Sequence, residues 1–368
     1  MRIGILSDSH FMMDEGNSDP HWEYGTTRLA ELVAAHMSAL KIFEEYKVEA
    51  IVHGGDLGDN KNSIPIPVWK AIGEVLRQSK LPWAIVPGNH FTYTRTGSIH
   101  GLSAIALYME KSGAQLNVLH GGPGPVQMCN SKLLVWGIGY HADNNMKEFY
   151  ARCKRIKTAY ETEKWMPASK ATKIVVLHQG LKEATIKKAP LEVEKELSVK
   201  KLDKYFDWAD LIVIGHYHDP QRITKRILVP GAICQHSFRD AGSERYVWIY
   251  DTEKQGLIKK SVGAPKFHVG AVDAFPEADK GDRVRIAISN IRKADAVVAH
   301  YKESGAKASF SLIPEKSEDN IRDSSVTLST DDVENLHKYI ESEASDELNK
   351  NMLKKYGKEI IDQVRSAV

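Results

Sequence analysis

The chain has 368 residues, 42% of them hydrophobic and 27% charged, which suits one large domain with one or two small ones. Lys and Arg number 50 against 48 Asp and Glu, so bulk charge argues neither for nor against nucleic acid; a DNA-binding surface has to be a local patch. The three widely spaced cysteines, Cys129, Cys153 and Cys234, exclude a disulfide framework, and no apolar run is long enough for a membrane span; both expect a soluble, intracellular, cytoplasmic protein.

In chain order, residues 2–7 read as the first strand and 14–25 as a polar loop. Thr26 or Thr27 caps a helix whose face is Leu29, Leu32, Val33, Met37, Leu40 and Phe43. A strand at 50–52 precedes a helix at 67–79, opened by Pro67 and carrying Val68, Ile72, Val75 and Leu76. A strand at 83–87 precedes a helix at 98–112, stopped by Gly113. This alternation predicts a largely parallel sheet. Strands then crowd at 117–119, 133–138, 173–177, 211–214, 227–229, 246–250 and 257–262, with a charged helical insertion at 143–166 and a loop plus helix at 180–205. Two sheets covered by helices is the simplest assembly. Residues 263–282 read as a linker, followed by a strand at 284–288, a helix at 294–304 and a strand at 309–313. Residues 315–330 are polar. The chain ends in two amphipathic helices, 330–341 and 346–366, with Ser329 and Asp332 as an approximate capping box. Their stripes are Val333, Leu336 and Ile340, then Leu348, Met352 and Tyr356; helices this short must dock on something.

Five apolar runs end in Asp, Asn or His: Asp8 and His10 after 3–6, Asp56 after 51–52, Asn89 and His90 after 83–87, His178 after 174–177, and His216 and His218 after 211–214. Open α/β sheets build their sites at such strand ends. Asp8 and His10, like His216 and His218, stand two apart and share a face. Asp8, His10, Asp56, Asn89, His178, His216 and His218 offer only nitrogen and oxygen, which suits two ions sharing one carboxylate. Asp56, after the close-approach pair Gly54-Gly55, is the natural bridge. Mixed imidazole and carboxylate suits manganese, iron or zinc. His90 follows a ligand without needing to be one, and could stabilise a phosphoryl transition state or protonate a leaving oxygen. Asp59 could orient it. The other histidines, His36, His53, His100, His120, His141 and His236 among them, read as structural or surface groups.

The ordered set D-x-H, G-D-x-x-D, G-N-H, H, G-H-x-H resembles the calcineurin-like metallophosphoesterase superfamily over residues 1 to about 220. Within it, His178-Gln179, Pro230-Gly231-Ala232 before a strand, and Gly137-Ile138-Gly139-Tyr140 before a charged helix make the chain similar to the SbcD-type nuclease, the nuclease subunit of Mre–Rad double-strand-break repair complexes. The resemblance implies a four-layer α/β/β/α core, two packed sheets flanked by helices, with a small α+β capping domain and C-terminal helices. The implied boundaries are 1–265 for the nuclease domain, 266–325 for linker and capping domain, and 326–368 for a helical partner-binding element. It assigns Asp8, His10, Asp56 and His218 to one metal, Asp56, Asn89, His178 and His216 to the other, and catalysis to His90, with Mn2+ as the metal. One departure stands out: Phe91 occupies the place where the family usually has an acid.

The implied activity is manganese-dependent DNA hydrolysis, 3′ to 5′ on duplex ends and endonucleolytic on single strands, with an SMC-like coiled-coil ATPase as partner. A homodimer through helices 67–79 and 98–112 is also implied, and Trp69 and Leu107 lie off the main apolar faces of those helices. The alternative is a stand-alone phosphoesterase for nucleotides or phosphoproteins, which does not need the residues after 265.

Overall fold

The computed structural model describes residues 1–14, 18–60, 63–92, 100–111, 113–142, 145–162, 170–184, 197–271, 274–288, 293–312 and 349–366, together with Val333, Leu336, His337, Ile340 and Glu341. It divides into two compact units, Met1–Leu312 and Ile313–Val368.

The first unit opens with β1 (Arg2–Leu6), a short hairpin of β2 (Pro20–His21) and β3 (Gly25–Thr26), and α1 (Thr27–Glu45), whose first turn is capped by the Thr26 hydroxyl. There follow β4 (Ala50–His53), α2 (Ile66–Gln78), β5 (Trp83–Ile85), α3 (Gly101–Glu110) and β6 (Leu116–Val118). Next come β7 (Val126–Met128), β8 (Leu133–Ile138), α4 (Met146–Thr162), β9 (Thr172–His178), α5 (Val199–Phe206) and β10 (Leu211–Gly215). Then β11 (Gln221–Arg222), β12 (Ile227–Val229), β13 (Val247–Asp251) and β14 (Gly256–Lys260) complete two six-stranded sheets. The first sheet runs β14-β13-β1-β4-β5-β6 and the second β11-β12-β10-β9-β8-β7.

Side-chain alternation explains the layering. Ile3, Ile5, Ala50 and Val52 of the first sheet meet Ile174, Val176, Leu211 and Val213 of the second in one fully buried core. On the outer face, Leu6, Ile51 and Ile85 pack with Leu29, Leu32, Phe43, Val68, Ile72 and Leu102 of α1, α2 and α3. On the other outer face, Val175, Leu177, Ile212 and Ile214 pack with Phe149, Cys153, Ile156, Leu202 and Phe206 of α4 and α5. Being apolar on both faces is what makes these strands continuous apolar runs in sequence. The result is the expected four-layer α/β/β/α core.

A third sheet of β15 (Phe267–Ala271), β16 (Arg283–Ile288) and β17 (Lys307–Leu312) is parallel throughout, with α6 (Ala294–Lys302) crossing between β16 and β17. Its core is Val284, Ile286, Ile288, Val297 and Tyr301. The expected linker 263–282 is thus corrected: it contains an edge strand, β15, held by pairing to β16 and by one buried anchor, Phe267.

In the second unit, α7 (Lys350–Ser366) brings Gly357 so close to Leu336 that a Cβ there would clash, and Lys354 pairs with Glu341. Ile340 is buried, whereas Met352, Leu353 and Tyr356 are exposed. Ser329, Asp332 and Leu348 lie outside the described residues.

Candidate metal centre

Parallel pairing levels the strand ends. Leu6 pairs with His53, His53 with Ile85, and Gly215 with His178. The polar residues that follow therefore emerge along one edge of the sandwich. There the two sheets approach so closely that a Cβ on Gly215 would run into the Gly54 carbonyl, and one on Gly88 would run into Asp56.

Four of the candidate ligands have left-handed backbone: Asp8 (φ 49°), His10 (φ 45°), Asp56 (φ 50°) and His216 (φ 109°). Such conformations cost about 1–3 kcal/mol each and persist where surrounding bonds over-determine them. Here Asp8 N donates to Gly55 O and His10 N to Asp56 O, each at 3.0 Å. The Asp56 carboxylate accepts from His90 N at 2.8 Å, and the Asp8 carboxylate from His216 N at 3.1 Å.

The structure brings together all nine residues singled out in the sequence. His178 Nε2 stands 2.9 Å from Asn89 Oδ1 and 3.2 Å from Asp56 Oδ2. His216 Nδ1 stands 3.0 Å from the same Asn89 oxygen. His10 Nε2 faces His218 Nε2 at 3.2 Å and lies 4.0 Å from Asp56 Oδ2. Donor atoms of Asp8, His10 and His218 fall within 4.8 Å of one another, as do those of Asp8, Asp56 and His178. Two ligands bonded at roughly 2.1 Å and about 90–100° apart are separated by about 3 Å. The donor spacings therefore match edges of coordination polyhedra, and the all-nitrogen-and-oxygen set fits divalent ions. Asp56 Oδ2 reaches His10 in one half and His178 in the other, and Asp8 also has a donor in both groups.

Charge is distributed unevenly. Burial by itself raises the Asp56 pKa, but His178, then His10 and His90, outweigh it and hold the carboxyl below its usual range. Burial pulls His178 down, and Asp56 overrides it to about 9. His216, buried and beside His178, is pushed down to about 3.

Asp59 has two partners. Its Oδ1 lies 2.9 Å from His90 Nδ1 and 2.8 Å from His10 Nδ1. Sequence reading gave it only the first. Its hydrogen bond is the leading reason that the His90 pKa is raised. Phe91 is fully buried, with its ring under Gly58 and Gly101, where a Cβ on either would clash. Asp59 thus supplies an acid to His90 where Phe91 has none.

Several residues beyond the sequence reading support the centre. His218 Nδ1 lies 3.5 Å from Asp240 Oδ1, and Asp240 lies 2.9 Å from Arg245. Ser237-x-x-Asp240 is a capping box, a signal readable in sequence. His236 Nε2 lies 3.0 Å from Asp8 O, with no motif to reveal it. Behind the turn, Gly55 N donates to His53 Nδ1, whose Nε2 meets Ser9 Oγ, which meets His36 Nε2; His36 Nδ1 bonds Leu32 O. Each member of this buried chain has one direction only: His53 Nε2–H to Ser9, Ser9 O–H to His36, His36 Nδ1–H to the carbonyl. Both rings must be neutral for it to form.

The family profile described as "Calcineurin-like phosphoesterase superfamily domain" matches residues 1–255. The chain belongs to this superfamily. Its reaction class is metal-dependent phosphoester hydrolysis at a dimetal centre. Among solved structures, it is similar to a dimetal phosphatase from Danio rerio at 10% identity and a TM-score of 0.38, over 68% of this chain and 91% of that one. It is also similar to Yfce, a phosphoesterase from E. coli, at 13% identity and a TM-score of 0.29, over 72% of this chain and 100% of that one. No curated protein matches the chain. Among the described residues no helix is long and apolar enough to cross a membrane.

Proposed function

We propose that the protein is a manganese-dependent DNA nuclease, acting 3′ to 5′ on duplex ends and cutting single strands, as the nuclease subunit of a complex with an SMC-like coiled-coil ATPase. The observation that carries this reading is the third sheet. It lies beyond the superfamily match and packs on the loop beside His218: Phe267 N donates to Gln235 Oε1 at 2.6 Å, and Arg285 sits 3.9 Å over the Phe238 ring. A small-molecule phosphatase needs no such added layer, whereas a polymer needs a longer wall beside the scissile bond.

In this reading Asp8, His10, Asp56 and His218 hold one ion, and Asp56, Asn89, His178 and His216 the other. Bound there, two ions would polarise the phosphoryl oxygens and lower the pKa of water. His90 does the proton work. Asp59 takes the Nδ1 proton's hydrogen bond and fixes the tautomer, which leaves Nε2 for the substrate. The hydrogen bond to Asp59 raises the His90 pKa, which favours the imidazolium that would offset charge on the phosphorane or protonate the leaving oxygen. Exposed Ile66, Leu107 and Tyr108 on α2 and α3 support a homodimer through these helices, and exposed Met352 and Tyr356 on α7 support helix-in-groove docking to the ATPase.

The test is a Mn2+-loaded assay on 3′-labelled duplex, single-stranded circles and p-nitrophenyl phosphate, with light scattering and with a variant lacking residues 328–368. The expected results are label release, nicked circles, a dimer, and a truncated chain that still cuts single strands but no longer captures its ATPase. Rapid p-nitrophenyl phosphate turnover with DNA intact would establish the stand-alone phosphoesterase instead.

A further inference from the structure

The loop between β12 and β13 carries His236, which lies between two candidate ligands. Its ring centroid is 4.8 Å from that of His10 and 5.2 Å from that of His218, the pair whose Nε2 atoms face each other. Its own nitrogens point elsewhere. Arg28 Nη2 donates to His236 Nδ1 at 3.1 Å and to Gln235 O at 2.6 Å. A guanidinium has no acceptor, so Nδ1 must accept and Nε2 must carry the proton. That N–H donates to Asp8 O, with Nε2 3.0 Å from the oxygen. Asp8 is where the chain leaves β1 in left-handed backbone, and its carbonyl is bonded by this side chain from another element.

Arg28 is itself held from the third sheet. The side chain is fully buried on α1, with Nη1 3.5 Å from Glu31 Oε2. Glu31 takes both terminal nitrogens of Arg283 from β16, at 2.8 and 3.2 Å. The Phe267 ring of β15 stands 5.8 Å from the Arg28 guanidinium and 5.3 Å from that of Arg283. A continuous polar path therefore runs Arg283, Glu31, Arg28, His236, Asp8. Its charged members, Arg283, Glu31 and Arg28, alternate in sign, and leaving one of them unpaired is costly.

We infer that His236 is a positioning residue for the metal held by Asp8, His10 and His218, and that the third sheet sets its orientation through Arg283, Glu31 and Arg28. This rests on the two-metal reading of the site, and not on DNA being the substrate. His236 locks the strained Asp8 carbonyl and wedges the His10 and His218 rings. Groups that orient ligands in this way are worth about 10–100-fold in metal affinity.

The test is calorimetric titration of the metal-stripped full chain with Mn2+. The unsubstituted protein should bind two ions. His236→Leu, which keeps bulk but loses the donor, should weaken one ion by about 10–100-fold and leave the other unchanged. His236→Gln, which can place an N–H where Nε2 stands, should recover most of the loss. Glu31→Gln should weaken the same ion by less, with a normal thermal midpoint. Two unaltered ions in His236→Leu would overturn the inference while leaving the two-metal reading intact. Failure of His236→Gln to improve on His236→Leu would reduce His236 to packing. Should His236→Leu not fold, an unaltered titration of Glu31→Gln overturns the path. An unsubstituted chain that binds no Mn2+ removes the two-metal reading and this inference together.

Discussion

The two six-stranded sheets contribute to the centre in different ways. The first supplies Asp8, His10 and Asp56, on turns with positive φ tied down by backbone hydrogen bonds, together with Asn89 and the Asp59 that bonds His10. The second supplies three imidazoles, and His178 still belongs to the regular strand β9. Both carboxylate ligands thus sit on the first sheet, and three of the four imidazole ligands, all but His10, on the second. They meet where Asp56 and His178 face each other at 3.2 Å. The centre is complete only when the sheets pack, so site geometry and core packing are one quantity. The supports divide the same way: a neutral histidine chain behind the first sheet's turns, and a charged Asp240–Arg245 pair behind His218.

The largest effect that separates chemistry from assembly belongs to His90, which lies on the first sheet's side and supports Asp56 only through its backbone N–H, a bond that a substitution of the side chain keeps. His90→Asn should keep both ions and lose about 10²–10⁴-fold in turnover. A metal-loaded variant with near-normal rate would move the proton role elsewhere. The second sheet's charged support should matter less. Asp240→Asn should weaken metal binding by about 10–100-fold, confined to the ion shared by His218. Equal weakening of both ions would show that Asp240 acts on the fold instead.

The last prediction tests the neutral support. Burial takes the His36 pKa from 6.5 down to about 4, only partly offset by its bond to the Leu32 carbonyl. The unfolded chain then binds the proton first as pH falls. Stability is complete above 6.5, declines between 6.5 and about 4, and levels off below that. The full loss from this group is on the order of 3 kcal/mol. In chelator, His36→Gln should therefore show a flatter decline of thermal midpoint between those pH values than the unsubstituted chain. Identical slopes would mean that His36 is not held neutral.

The sandwich was legible because its strands are apolar on both faces and stop at Gly, Asp, Asn or His. Strand β15 was not: Pro265, Gly270 and Pro276 break its pattern, and Phe267 is its one buried anchor. The hairpin of β2 and β3, and strand β11, are two residues each, too short to carry a period. All nine site residues lie at a strand end or within six positions after one. What could not be read was the contact of Asp59 with His10, 49 residues apart, or the placing of His236. Those depend on how sheets and loop pack, and packing leaves no spacing in the chain.

The claim on which the rest stands is that Asp56 is shared across the two sheets. Mn2+ should be counted directly, by equilibrium dialysis with elemental analysis, in the unsubstituted chain and in Asp56→Asn, which keeps the shape and removes the charge. A bridging carboxylate gives two ions in the first and none held tightly in the second, with hydrolysis below detection. Two ions retained in Asp56→Asn, or one lost and the other bound as before, would contradict it.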